Sequence, residues 1–171
     1  MSTNDSLNAA DQLAIQALLY RYAWALDTGD VDAFVQVFAR DGVLLWDAFE
    51  TPESWQGHAE LRAFAEDLRD LPTTAGRQHH VANVLVTGTR GRAQVQAYVT
   101  VHLRQAEAPH PVTVMGWYDD ECVLEDGEWK ISRHVIRDWC GPVLARLAGQ
   151  SGEPERRAKP PVLAGLGRRS N

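Results

Sequence analysis

Apolar residues recur at helical spacing from Asp11 to Leu26, at Leu13, Ala14, Ala17 and Leu18 and then through Tyr20–Leu26. That period predicts an amphipathic helix with one buried stripe. Thr28-Gly29-Asp30 ends it, because glycine takes the left-handed turn and Asp30 can cap a following helix. A second, short helix is predicted over Val31–Ala39, with Phe34, Val35 and Phe38 as its inner face. Asp41-Gly42 reads as a turn, Val43–Trp46 as a first strand, and Glu50–Gln56 as a loop. A third helix is predicted over Gly57–Leu71, with Leu61, Phe64, Leu68 and Leu71 along one side, closed by Pro72 and Gly76.

From His79 the period changes from helix to strand. His79–Thr87 is β-branched and apolar, Gly88–Gly91 is a turn, and Ala93–Leu103 alternates as a half-buried strand. Val112–Leu124 reads as a long strand, Asp126-Gly127 as a hairpin turn, and Trp129–Ile136 as the returning strand. Helices first and antiparallel strands second imply an α+β fold with helices covering one face of a curved sheet. Trp139–Leu147 is expected to form a small closing helix. Residues 1–10 are expected to be flexible, 11–149 to form one domain, and 150–171, rich in Gly, Ser, Pro and Arg, to be a mobile tail.

At 171 residues and 44% apolar, with six Trp, the chain suffices for one real core. Its formal charge of −6 comes without a basic block, which argues against a nucleic-acid partner. Charges interrupt every apolar stretch, so no membrane span is expected. Residues 1–12 are polar and acidic, without a basic start or an apolar run. Cys122 and Cys140 form no metal-type pair or disulfide framework. The expectation is a cytoplasmic protein with reduced thiols.

The candidate chemistry starts with Asp27. It ends an apolar helix, with Tyr20 and Trp24 on nearly the same face. A carboxylate beside aromatic rings loses solvation, which suits it to proton work; the alternative is a plain turn residue, at some cost against the helix dipole. His79 and His80 open a strand, so only one faces a pocket. His79, Val81, Asn83 and Leu85 are expected on one face, and His80, Ala82, Val84 and Val86 on the other. The first set, with His and Asn, suits a pocket wall, and histidine is the natural neutral-pH base. His102 is either a second pocket imidazole or an edge residue. Tyr22 is either an oxyanion donor or a core aromatic. Trp46, Trp117 and Trp139 read as wall and core. Nothing in the chain calls for a metal, a nucleotide or another cofactor: two His at helical spacing, G-x-S-x-G and phosphate-cradling glycine loops are all missing.

Arg21-Tyr22-Ala23-Trp24-Ala25-Leu26-Asp27-Thr28-Gly29-Asp30, with Phe34 and Phe38-Ala39-Arg40-Asp41-Gly42, resembles the opening of SnoaL-like proteins, a group within the nuclear transport factor two-like fold. Gly57–Leu61 with Phe64, Gln78–Asn83, and Trp117-Tyr118 with Asp126–Ile131 resemble its third helix, first pocket strand and closing hairpin. The resemblance spans Asp11 to Trp139 and implies a cone-shaped barrel of a curved, mostly antiparallel sheet with N-terminal helices packed on it. In motif the chain is most similar to scytalone dehydratase and hexachlorocyclohexane dehydrochlorinase, where an Asp ending the first helix pairs with the strand's His. The matching positions here are Asp27 and His79. His102 falls where scytalone dehydratase has its second His, and Tyr22 fits the spacing of a tyrosine in bile-acid dehydratases. Leu26, Trp46, Val112 and Val114 depart from the scytalone dehydratase pattern.

The resemblance implies a cofactor-independent lyase, of dehydratase type, acting on a small hydrophobic cyclic or polyketide-like substrate. Asp27, His79, His102 and Tyr22 are its expected catalytic residues, and Trp24, Trp46, Asn83 and Trp117 its expected substrate wall. An isomerase or cyclase would use the same parts. A non-catalytic binding module, or a protein like a dioxygenase β subunit, is the alternative. A homo-oligomer, trimer or dimer, is the expected assembly.

Overall fold

The computed structural model describes residues 6–138, 156 and 158–168. Helix α1 spans Ala9–Thr28 and opens on a capping box. The Asn8 side chain accepts the Asp11 amide at 2.9 Å while the Asp11 carboxylate accepts the Asn8 amide at 3.4 Å. Two orphan donors are thereby satisfied at the helix start. Ile15, Leu18, Leu19, Tyr22 and Leu26 form the buried stripe. Gly29, at φ 72°, closes the helix in the left-handed region that favours glycine. Asp30 caps α2 (Val31–Gln36) by accepting the Ala33 amide at 3.0 Å.

Helix α2 stops three residues short of its predicted end. The Val37 carbonyl accepts the Ile131 amide at 2.9 Å, and Phe38 is already paired with Ile131 in strand β1 (Phe38–Trp46). Sheet pairing thus overrides the local helical pattern. The expected loop before α3 contains a short strand, β2 (Glu53–Gln56), antiparallel to β1 from Val43↔Gln56 to Trp46↔Glu53. Helix α3 covers Gly57–Asp70. Four long strands follow: β3 (Arg77–Thr89), β4 (Arg92–Leu103), β5 (Val112–Glu125) and β6 (Glu128–Asp138).

The fold is α+β: helices pack on a six-stranded sheet of order β2-β1-β6-β5-β4-β3. The sheet is open, with β2 and β3 at its edges, and β1–β6 is its parallel pair. The turn at Asp126-Gly127 has both residues at positive φ, 51° and 84°, as a two-residue hairpin demands. Strand β4 shows the two faces plainly: Ala93, Val95, Ala97 and Val99 are buried under the helices, while Gln94, Gln96 and Tyr98 are exposed. In β3 this alternation breaks. The register shifts between Ala82 and Leu85, and Asn83 sits at φ 52°. A bulge of this kind reverses the facing of everything beyond it. Val84 and Val86 therefore join the half-buried side with His79 and Val81, and Asn83 and Leu85 are exposed. That corrects the expected grouping of His79, Val81, Asn83 and Leu85.

Residues 158–168 lie against β2 and α3, which differs from the mobile tail expected over 150–171. The Trp55 indole N–H donates to the Leu166 carbonyl at 2.9 Å, and Leu166 itself is buried. The Gly167 amide donates to Asp67 at 2.6 Å. Gly167 has φ 65°, and a Cβ there would lie 2.4 Å from the Trp55 indole nitrogen, so the close seat needs glycine. Leu166→Ala is expected to lower stability by about 2–3 kcal/mol through lost burial and a cavity over Trp55. Urea unfolding followed by tryptophan fluorescence checks this; an unchanged midpoint would mean the segment does not dock. At the other end, helix α1 begins inside the stretch expected to be flexible, and Ser6 bridges Thr89. The helix expected at Trp139–Leu147 lies outside the described residues.

Candidate active site

Asp27 lies in the last turn of α1, and its carboxylate grips the start of β3 with both oxygens. Oδ2 accepts the His79 backbone amide at 2.8 Å, and Oδ1 lies 2.5 Å from His79 Nδ1. These two bonds offset the unfavourable placement of an acid at a helix C-terminus. The carboxylate fixes the imidazole with Nδ1 as donor, which leaves Nε2 as the free acceptor. Arg77, two residues before His79, clips the same junction together. Its guanidinium donates to the carbonyls of Leu26 (2.7 Å) and Leu68 (3.0 Å) and to the Thr74 hydroxyl (2.7 Å). Burial lowers the Arg77 pKa, opposed by the neighbouring Asp27 charge.

The pair opens on a groove of ≈ 580 Å³ between α1 and the start of β3. Tyr20 and Trp24 of α1 form one wall, Val81 and Arg104 belong to the other, and Trp24 is 74% exposed. A larger hollow, ≈ 1070 Å³, runs along the adjoining flank of α1 to the β5–β6 hairpin, with Tyr20, Trp24 and Thr28 lining both. Among the described residues no histidine or cysteine lines it, and Asp27 and His79 are not part of its lining. Among the described residues, no group of three or more His, Cys, Asp or Glu is placed to hold a metal. No helix among them is long and apolar enough to cross a membrane.

Asp27, His79 and Trp24 thus meet at one groove; the other expected site residues lie elsewhere. His79 pairs with Val101 in register, so the next residue, His102, faces the opposite side of the sheet. There its ring lies 4.6 Å from that of His80. Asn83 is turned out by the bulge. Trp117 shares the outer face, with the Arg137 guanidinium 5.1 Å above its ring. Trp46 packs on Phe49 and Phe64 as part of the core wall. Tyr22 is buried, and burial pushes its hydroxyl pKa far above the usual tyrosine range, with Asp120 adding to the effect. Its ring touches Phe34, Tyr118 and His134 rather than the groove. The tyrosine of α1 that lines the groove is Tyr20.

One constellation escaped the sequence reading. Asp120 of β5 and His134 of β6 are both fully buried, with His134 Nδ1 2.8 Å from Asp120 Oδ1, off the line of a straight hydrogen bond. The His134 ring is flanked by Tyr22 at 4.3 Å and Tyr118 at 4.4 Å. Burial raises the Asp120 pKa, with the His134 imidazole opposing. The signal for Asp120 was present, since Tyr118, Asp120 and Cys122 alternate on one face. That for His134 was hidden by the register shift between Glu121 and Cys122, which leaves Ser132 without a partner in the ladder. Cys122, beside Asp120, has its thiol pKa raised by burial and by the Asp120 charge. A Cys140→Ser variant is therefore expected to leave Cys122 unreactive toward a disulfide reagent until denaturant is added; fast native labelling would contradict this burial.

The SnoaL-like domain model matches residues 8–135. No curated protein matches the sequence significantly. Among solved structures, a provisionally named aromatic ring hydroxylase from Novosphingobium aromaticivorans is 30% identical, with a TM-score of 0.67 over 80% of this chain and 93% of that one. A Nostoc punctiforme protein of unknown function with a cystatin-like fold is 26% identical, with a TM-score of 0.69 over 78% and 94%. A provisionally named scytalone dehydratase from Novosphingobium aromaticivorans shares the fold at 21% identity, with a TM-score of 0.65 over 89% and 93%.

Proposed function

The chain belongs to the SnoaL-like domain family, and on that premise we propose that it is a cofactor-independent lyase of the dehydratase type. That family includes dehydratases, isomerases and cyclases as well as dioxygenase β subunits. The observation that carries the proposal is the Asp27–His79 pair: a carboxylate 2.5 Å from Nδ1, no hydrogen-bond partner for Nε2 among the described residues, and both residues lining a groove. His79 Nε2 removes a proton from the carbon next to a carbonyl of a hydrophobic cyclic substrate. The electrons of the broken C–H bond pass into the carbonyl as an enolate. Asp27 holds the tautomer and stabilises the imidazolium. As the enolate collapses, the bond to the β-hydroxyl breaks, and the imidazolium proton leaves with it as water. A hydroxyl for the enolate oxygen would come from Tyr20, the tyrosine on this groove, and Trp24 would bear the ring of the substrate.

The same parts perform isomerisation or ring closure when the proton returns to carbon. Wild-type protein in D₂O with β-hydroxylated cyclic ketones separates these outcomes. Elimination releases an enone, isomerisation gives a deuterated product of unchanged mass otherwise, and a binding module gives neither. Absence of both enone and deuterated product across such a panel would favour the non-catalytic alternative.

A further inference from the structure

Two features of the dyad groove are not used by proton transfer. Trp24, 74% exposed, presents an indole toward water from the C-terminal half of α1. A ring left this open on a groove offers a face on which a planar ligand can stack. Across the groove stands Arg104, the residue after β4, whose backbone amide donates to the Gly76 carbonyl at 3.0 Å. That bond fixes where the arginine leaves the backbone. Its guanidinium has no ion pair or hydrogen bond among the described residues, whereas Arg77 beside it is committed to carbonyls. The lining of the groove therefore includes two arginines, Arg77 and Arg104, against one carboxylate, Asp27, in a chain of net charge −6. Local positive excess in an acidic protein draws anions to that spot.

We propose that the groove selects cyclic substrates that carry a carboxylate, with the ring stacked on Trp24 and the carboxylate paired to Arg104. The assignment rests on the groove being the reaction site, and it narrows the substrate class. A planar carboxylate meets a guanidinium through two parallel N–H···O bonds, a geometry that a neutral amide cannot reproduce. The carboxylate acts as a handle distant from the reacting carbon; the acidifying carbonyl is a separate group. Arg104 is a specificity residue and transfers no proton.

The test uses 2-naphthoate and 2-naphthamide, two probes of one shape that differ in charge, titrated calorimetrically into the full chain. Naphthoate is expected to bind about tenfold tighter than the amide, with added KCl shrinking the gap. Arg104→Gln should bring naphthoate down to the amide's affinity and leave the amide unchanged. Trp24→Ala should weaken both probes in parallel. Equal binding of the two by wild type, no measurable binding of naphthoate, or a preference that survives Arg104→Gln would each overturn the assignment. His79→Ala separates it from the lyase reading. If that variant loses turnover while acid and amide bind alike, the lyase stands without the anion site. If the acid preference follows Arg104 but no ketone is dehydrated or exchanges deuterium, the anion site stands and the lyase reading fails.

Discussion

His79→Ala is expected to lower the rate of deuterium exchange and of elimination by about 10²–10⁴-fold, the usual contribution of a positioned general base. The variant should remain folded, because the imidazole sits at the groove wall while the backbone bond from His79 to Asp27 persists. Asp27→Asn probes the same pair from the other side. The carboxylate accepts from two donors, the His79 amide and Nδ1–H. An asparagine offers one acceptor oxygen and turns an NH₂ group toward the second donor, so one bond is lost and one repulsion appears. Activity should fall by roughly 10²-fold or more, because the imidazole is no longer held in the reactive tautomer. Stability should fall as well, by about 1–3 kcal/mol for the donor left unsatisfied. Exchange rates measured by mass spectrometry, with circular dichroism melts in parallel, decide the matter. A His79→Ala protein that exchanges within a few-fold of wild type would remove the imidazole from the chemistry.

Why Asp27 and His79 were legible and their supposed helpers were not is a matter of parity. A helix end and the first residue of a strand are set by strong local signals: the Thr28-Gly29-Asp30 stop and the change of period at His79. Nothing intervenes between those signals and the two side chains. Asn83 lies beyond a bulge that only the partner strand β4 reveals, and His134 beyond one that only β5 reveals. Each such shift inverts the facing that simple alternation assigns. His102 failed for the opposite reason. No bulge separates it from His79 in the ladder, and the undisturbed pairing of His79 with Val101 places it on the far face. Strand β2 and the early end of α2 are tertiary outcomes too, because each exists by pairing with β1 or β6 rather than by its own composition. Tyr22 had the sequence spacing of a pocket residue, yet four aromatic or imidazole rings close over it.

The buried pair Asp120–His134 carries the largest expected effect on stability. Each group is fully enclosed, so each lost its hydration on folding and holds the other as its nearest compensation. His134→Leu leaves the Asp120 carboxylate without an opposite partner and is expected to cost about 3–5 kcal/mol. Asp120→Leu should cost less, since the imidazole left behind keeps its ring contacts with Tyr22 and Tyr118. Replacing both with Leu removes the two desolvation costs together, so the double variant should recover much of the loss instead of summing it. Urea midpoints at neutral pH measure all three, and simple additivity would mean that the pair is not coupled. The pH dependence has a definite sign. Burial raises the folded pKa of Asp120 above that of the unfolded chain, so the folded state binds more protons between the two values. The contribution of Asp120 to stability is therefore complete below the ordinary carboxylate pKa and is lost as pH rises through the raised one. Wild type should weaken relative to Asp120→Asn as pH increases from acid toward neutral, because the asparagine has no proton to lose. A difference between the two that stays constant with pH would mean that Asp120 ionises in the fold as easily as it does in water.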